Sequence, residues 1–266
     1  MRRRAATATA TATAATAFSA VLAVTALAAP ATGAPKIDSG TKFWNIDVNH
    51  NRDYTVSVES TQKRVFTVGA TVTDPSGVRS VSYELWHGKS RASADGLMVG
   101  AAHCVPLNET ASFCEALVTA DPKVNLRSNA LAGVWTITPV AVDGDGNVTR
   151  GNGAYLARIT RHTSMSQTVA TPQPVKKGAN LTVKARMTVA SWEKRADAPL
   201  IGHQVLLQYR KGTSGPFVTV KKIKTDRNGW ASATVKATAD GAYRYNFAGT
   251  SLTTATIGWA DFVDVR

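Results

Sequence analysis

The best cation candidate in this 266-residue chain is Asp143-Gly144-Asp145-Gly146-Asn147. Carboxylate and amide oxygens at alternate positions are the spacing with which a tight loop surrounds Ca2+. Counted from Asp143, positions 6 and 12 hold Val148 and Ala154, so the Gly and Glu of an EF-hand are missing. The plainer reading is a hairpin turn in which Asp-Gly and Gly-Asn supply positive φ. The alternative is a calcium site built on Asp143, Asp145 and Asn147. Asp47-Val48-Asn49-His50-Asn51-Arg52-Asp53 has the same spacing, but Arg52 stands at position 6 and Val58 at position 12. That segment reads as a polar hairpin loop.

Two further segments set tryptophan beside cations. Ser191-Trp192-Glu193-Lys194-Arg195-Ala196-Asp197 is a polar loop, and Trp230 follows the turn Asp226-Arg227-Asn228-Gly229. An exposed indole beside Lys or Arg stacks on a sugar or base while the cations hold phosphate or uronate. Trp192, Lys194, Arg195, Arg227 and Trp230 are therefore the candidate polyanion-binding residues. The competing reading folds each loop tryptophan back as a lid on the core. Tyr243, Tyr245 and Phe247 form a stripe at strand period and read as core rather than as a binding platform. Trp135 suits a core corner, whereas Trp86 and Trp259 lie in strand-like runs that leave their facing open.

Catalytic spacing is absent. No Gly-x-Ser-x-Gly, His-Glu-x-x-His or P-loop occurs, and His50, His87, His103, His162 and His203 are scattered. The chain is read as non-enzymatic, although a Ser/His/Asp set assembles from distant positions in some folds. Cys104 and Cys114 are the only cysteines. A zinc site needs about four ligands, and no histidine stands at ligand spacing from either.

Arg2, Arg3 and Arg4 precede an apolar stretch at 17–29 and then small residues with Ala-x-Ala cuts after Ala28 or Ala31. This is the pattern of a secretory signal peptide, assigned to residues 1–34. No cysteine lies near the cut for a lipid anchor, and no later run reaches the ~18 apolar residues that span a bilayer. The expectation is an exported protein, extracellular or associated with the cell wall, with no membrane insertion. In that compartment Cys104 and Cys114 are expected to form a disulfide.

Charge is uneven. The chain holds 31 Lys and Arg against 18 Asp and Glu, yet residues 35–162 hold 13 against 12, a net +1. Residues 163–266 hold 15 against 6, a net +9. A field of that sign concentrates anionic partners near the second half, or simply keeps the surface solvated. Nothing points to a specific nucleic acid.

Strand-period alternation organises both halves. Phe66, Val68, Ala70 and Val72 alternate with polar or small residues up to the turn Asp74-Pro75-Ser76-Gly77, and Val81, Tyr83 and Leu85 follow. Leu181, Val183, Ala185, Met187 and Val189 repeat the pattern, followed by Val205, Leu207 and Tyr209. Each pair reads as adjacent strands facing one core. Gly133-Val134-Trp135-Thr136-Ile137 and Gly241-Ala242-Tyr243-Arg244-Tyr245 then resemble the Gly-x-Tyr-x-Cys signature that opens strand F of immunoglobulin domains. Ile137 and Tyr245 replace its cysteine, and Trp135 lacks the phenolic hydroxyl of the tyrosine corner.

The runs Ala70–Val78 and Ala141–Val148 resemble bacterial Ig-like and cadherin-like modules. Val205–Arg210, Thr225–Gly229 and Tyr243–Thr250 are similar to Ig-like domains of secreted actinobacterial proteins. The resemblance implies a fold and no activity. The expectation is an all-β protein of two tandem antiparallel Ig-like β-sandwiches. Residues 35–162 form the first and 163–266 the basic second, with a linker within 160–179. The expected function is a non-catalytic adhesion or binding module whose second domain engages anionic envelope or extracellular polymers. The alternatives are a calcium-binding secreted protein using the Asp143–Asn147 loop, or a spacer that partners other secreted proteins. No cofactor other than Ca2+ is indicated.

Overall fold

The computed structural model describes residues 40–50 and 54–266. The signal-peptide reading on residues 1–34 lies outside the described residues, as do Asn51, Arg52 and Asp53 of the first polar loop. The first half contributes β1 (Lys42–Val48), β2 (Thr55–Val58), β3 (Arg64–Thr73), β4 (Val78–His87) and β5 (Gly96–Asn108). These lead into β6 (Ala111–Ala120), β7 (Gly133–Asp143), β8 (Val148–Arg150) and β9 (Tyr155–Arg161). One sheet runs β1-β3-β6-β5 and the other β5-β4-β7-β9-β2, with β8 added to β7. Strand β5 serves both sheets, pairing with β4 over residues 96–101 and with β6 over 102–108. All these pairings are antiparallel except β2 with β9.

Phe66, Val68, Ala70 and Val72 of β3 are buried against Tyr83, Leu85 and Ile137. Each of the larger side chains, Phe66, Val68, Val72, Leu85 and Ile137, contributes about 1.5–3 kcal/mol on burial. The expectation that β3 and β4 lie side by side needs correcting: they face the same core from opposite sheets. The reason is the turn between them. Asp74 N–H donates to the Thr110 carbonyl, its carboxylate accepts from Thr41 and Ser76, and the Gly77 carbonyl accepts from Gly144 N–H. The turn therefore bonds to neighbouring loops and arches between sheets instead of closing a hairpin ladder.

The second half contributes β10 (Thr163–Met165), β11 (Val169–Thr171), β12 (Asn180–Ser191), β13 (Ala196–Pro199) and β14 (Gln204–Lys211). Then follow β15 (Val218–Lys224), β16 (Trp230–Lys236), β17 (Gly241–Phe247), β18 (Thr256–Ile257) and β19 (Asp261–Val263). Strand β12 is flanked by β10 and β11 on one side and by β13 and β16 on the other. The facing sheet runs β15-β14-β17-β18, with β19 also on β17. As in the first sandwich, β12 and β14 share a core from opposite layers. Within residues 160–179, where the linker is expected, the chain forms β10 and β11, and only His162 separates β9 from β10.

Both sandwiches replace the missing immunoglobulin devices. Trp135 performs the corner role with its indole, donating Nε1–H to the Leu131 carbonyl at 2.8 Å. In the second sandwich the corner bond comes from the neighbouring strand. The Tyr209 hydroxyl reaches the Ala239 and Asp240 carbonyls, both at 3.0 Å, while its ring packs on Tyr243. Where an inter-sheet disulfide is absent, a phenol spans the layers: Tyr83 donates to Cys114 O at 2.7 Å and Tyr245 to Val183 O at 2.8 Å. Burial pushes both phenols well above their ordinary range, with Glu115 adding to the shift at Tyr83. They remain donors at any physiological pH. Cys104 and Cys114 do form a disulfide, but they face each other across the β5–β6 ladder within one sheet.

Candidate functional site

Strands β12 and β13 pair as far as Ser191 and Ala196, leaving Trp192-Glu193-Lys194-Arg195 as the hairpin tip. Arg195 completes the turn in the left-handed region, with φ of 50°. The tip leaves its own sandwich. Trp192 is only 1% exposed and joins the hydrophobic core of the first sandwich, where its indole N–H donates to the Val58 carbonyl at 3.3 Å. This corrects the expectation of a stacking platform: Trp192 has no free ring face. An indole buries a large apolar area and needs one acceptor for its N–H, and the first sandwich supplies both.

Polar groups seal the same seam. Asn129 Oδ1 accepts from Trp192 N–H at 2.9 Å, and Glu193 Oε1 accepts from Asn129 N–H at 3.0 Å and the Ser128 hydroxyl at 3.1 Å. The Asn129 amide, then the Ser128 hydroxyl, hold the Glu193 carboxyl below its usual range. Backbone bonds join Arg161 N–H to Leu252 O, Thr254 N–H to Arg161 O and Ala190 N–H to His162 O. Both sandwiches fall within one compact unit.

A cleft of about 360 Å³ opens beside the tip, lined by Pro122, Lys123 and Arg127 of the first sandwich and Trp192, Glu193 and Arg195 of the second. Among the described residues, Lys123, Arg127 and Arg195 form no ion pair, and Glu193 is committed to the seam. Arg127 Nε is held by the Lys123 carbonyl at 3.2 Å, leaving its terminal nitrogens to project. Three cations in one cleft are suited to an oxyanion. Lys123 and Arg127 escaped the sequence reading because they lie in the near-neutral half. No local spacing marks them, and only docking brings them to the tip. Lys194 is exposed and lines the opposite flank with Arg161 and His203.

The other expected anion-binding residues stand apart. Trp230 is 41% exposed and pairs with Arg186 on β12. Five residue steps along the strand lead from Arg186 to Ser191, about 17 Å at ~3.3 Å each. Arg227 is exposed in the turn that Asp226 closes by accepting from Asn228 N–H and Trp230 N–H, both at 2.8 Å. The five residues thus divide between a buried anchor, the tip and a separate strand edge. Trp259, whose facing the sequence left open, is 81% exposed.

The Asp143–Asn147 run is a turn in which Asp143 is buried and both its oxygens are occupied. Oδ1 accepts from Asn147 N–H at 2.8 Å and Oδ2 from the Asn147 amide at 3.0 Å. Asp145 is exposed. In the Asp47 loop, His50 pairs with Asp47 and Glu115. Among the described residues no group of three or more His, Cys, Asp or Glu is placed to hold a metal ion. The fold does bring Ser57 Oγ to 3.1 Å from His162 Nδ1, in a hollow that also contains Glu59. No carboxylate of the described residues pairs with that imidazole, so the orienting third group of a triad is missing.

In the second sandwich four of the six acids accept hydrogen bonds from backbone amides. Asp261 accepts from Ala170 N–H and Gln173, Asp240 from Val265 N–H, Asp226 closes its turn and Glu193 the seam. Of the fifteen Lys and Arg, only Arg266 is ion-paired among the described residues, with Asp264.

No protein-family model matches this chain, and no curated protein matches it. Among solved structures it is similar to dimeric latent PorU from Porphyromonas gingivalis, with 14% identity over 85% of this chain and 20% of that one, at a TM-score of 0.30. It is also similar to the D00-D0 domain of Intimin, with 15% identity over 82% of this chain and 99% of that one, at 0.27. Trypsin-activated alpha-2-macroglobulin from Escherichia coli matches with 12% identity over 86% of this chain and 16% of that one, at 0.25. The chain thus spans only a fifth of the PorU structure. At these scores the likenesses carry no argument about what this chain does.

Proposed function

We propose that this protein is an exported, non-catalytic binding module that engages anionic extracellular or cell-envelope polymers. The observation that carries the proposal is the division of labour among charges. Most carboxylates of the second sandwich accept from backbone amides and side chains, and among the described residues its cations other than Arg266 form no ion pair. The cleft with Lys123, Arg127 and Arg195 gives this field a shaped site drawn from both sandwiches. Attraction to a highly charged chain releases counterions, so binding falls steeply with salt.

The test uses the mature full-length protein with teichoic-acid-like and polyuronate chains across a salt series. Binding at low salt should weaken linearly in log–log form. Lys123→Glu with Arg195→Glu should lower affinity and flatten the slope without lowering the melting temperature. Binding indifferent to salt, or unchanged in that variant, would refute the reading. A second reading, a rigid spacer that partners other exported proteins, draws support from the bonded seam. Stoichiometric protein capture that ignores salt would favour it.

A further inference from the structure

The outer face of the sheet containing β14 and β17 carries a feature the junction cleft does not explain. Gln208 is registered opposite Arg244, and Arg210 opposite Ala242, so the two arginines are diagonal neighbours on one face. Phe217, just before β15, carries both guanidinium groups over its ring. The Arg244 guanidinium carbon lies 3.9 Å from its ring centroid and that of Arg210 4.8 Å. Both groups are therefore within about 9 Å of one another, comparable to the ~8 Å screening length at physiological salt. Like charges this close repel, and among the described residues neither is paired with a carboxylate. Arg244 Nε donates to Gln208 Oε1 at 2.9 Å, but Arg210 Nε is shut off from solvent with no partner.

Stacking on Phe217 accounts for the orientation of the two groups. It does not neutralise them. We propose that Arg210 and Arg244, braced by Phe217, form an oxyanion-binding site that takes a carboxylate, sulfate or phosphate group. Guanidinium forks match the paired oxygens of such groups, and the ring holds the forks before the ligand arrives. Burial, with the neighbouring Arg210 charge second, pushes the Arg244 guanidinium below its usual value, the cost a bound anion would relieve. On the same face Asn246 lies opposite Ile257, and Ala242 opposite Phe262. Ile257 and Phe262 are each about half exposed, so apolar surface adjoins the cations. A charged group attached to a ring fits better there than a free ion.

The site is separate from the junction cleft, and its test is independent. Mature full-length protein, labelled for observation of arginine Nε–Hε signals, is titrated at constant ionic strength. The three ligands are sodium sulfate, an oligogalacturonate and a glycerol-phosphate oligomer. Saturable movement of the Arg244 signal is expected, and the ligand that saturates first identifies carboxylate, sulfate or phosphate as the group held. Arg210→Gln with Arg244→Gln should weaken that ligand roughly tenfold, while Lys123→Glu with Arg195→Glu leaves the arginine shifts in place. No saturable shift with any of the three, or equal affinity in the Arg210→Gln/Arg244→Gln variant, overturns the site. Neither result touches the cleft, which has its own variant.

Discussion

Replacing Trp192 with alanine removes an indole that is 1% exposed and lies in the core of a sandwich to which its own strand does not belong. Truncations of this kind cost about 3–5 kcal/mol, from lost transfer energy and the cavity left behind. The hydrogen bond adds little to that sum. The Val58 carbonyl that accepts the indole N–H also accepts His162 N–H at 2.9 Å, so it is not orphaned. For a unit of this size the loss corresponds to a fall in melting temperature of about 6–20 °C. It should also split one cooperative transition into two, because the anchor between the sandwiches is gone. Scanning calorimetry and urea unfolding report both effects, with Trp230→Ala as control. Trp230 is 41% exposed, and its truncation should stay within about 0.5 kcal/mol of wild type. A Trp192→Ala protein that melts in a single transition within about 1 kcal/mol of wild type would show that the indole is not an anchor.

The seam should also respond to acid. Glu193 is held below the ordinary carboxyl range, chiefly by Asn129 N–H, so its contribution is complete above the unfolded value and disappears as pH falls through the folded one. The stability difference between wild type and Glu193→Gln should therefore shrink between about pH 5 and 3; a constant difference in urea melts across that range would contradict the assignment. Asp143→Ala should cost about 1–3 kcal/mol by leaving Asn147 N–H unpaired, with or without calcium. Millimolar calcium should leave the melting curve unmoved, and a rise abolished by Asp145→Ala would make the loop a metal site after all. Secreted protein should have a mass two hydrogens below its reduced form, and Cys104→Ser with Cys114→Ser should lose about 3 kcal/mol; native labelling of both thiols would exclude the bridge.

Period-two alternation was enough to find the sandwich cores, because Phe66, Val68, Leu181, Val183 and their neighbours sit where a pleat with one buried face requires. Alternation says which side a residue faces, not which strand lies beside it, and so β3 and β4 read as neighbours although they lie in opposite sheets. The strand-F echoes were legible too, yet the groups that complete them were not. Trp135 uses an indole for the corner bond, and Tyr209 reaches it from another strand. The site was the least legible part. A polar loop with one tryptophan has the same composition whether the indole faces solvent or another domain, and Lys123 and Arg127 acquire meaning only through that contact.

The borrowed indole also bears on the order of events during synthesis. Every backbone strand of the first sandwich has left the ribosome once Arg161 has emerged, but one side of its core still lacks a filling. Trp192 arrives about thirty residues later, a delay of about 2–6 s at typical elongation rates. Over that interval the core of the first sandwich is without its borrowed indole. A chain in that condition unravels more readily than the finished protein. The last part of the first core is thus supplied from the far domain.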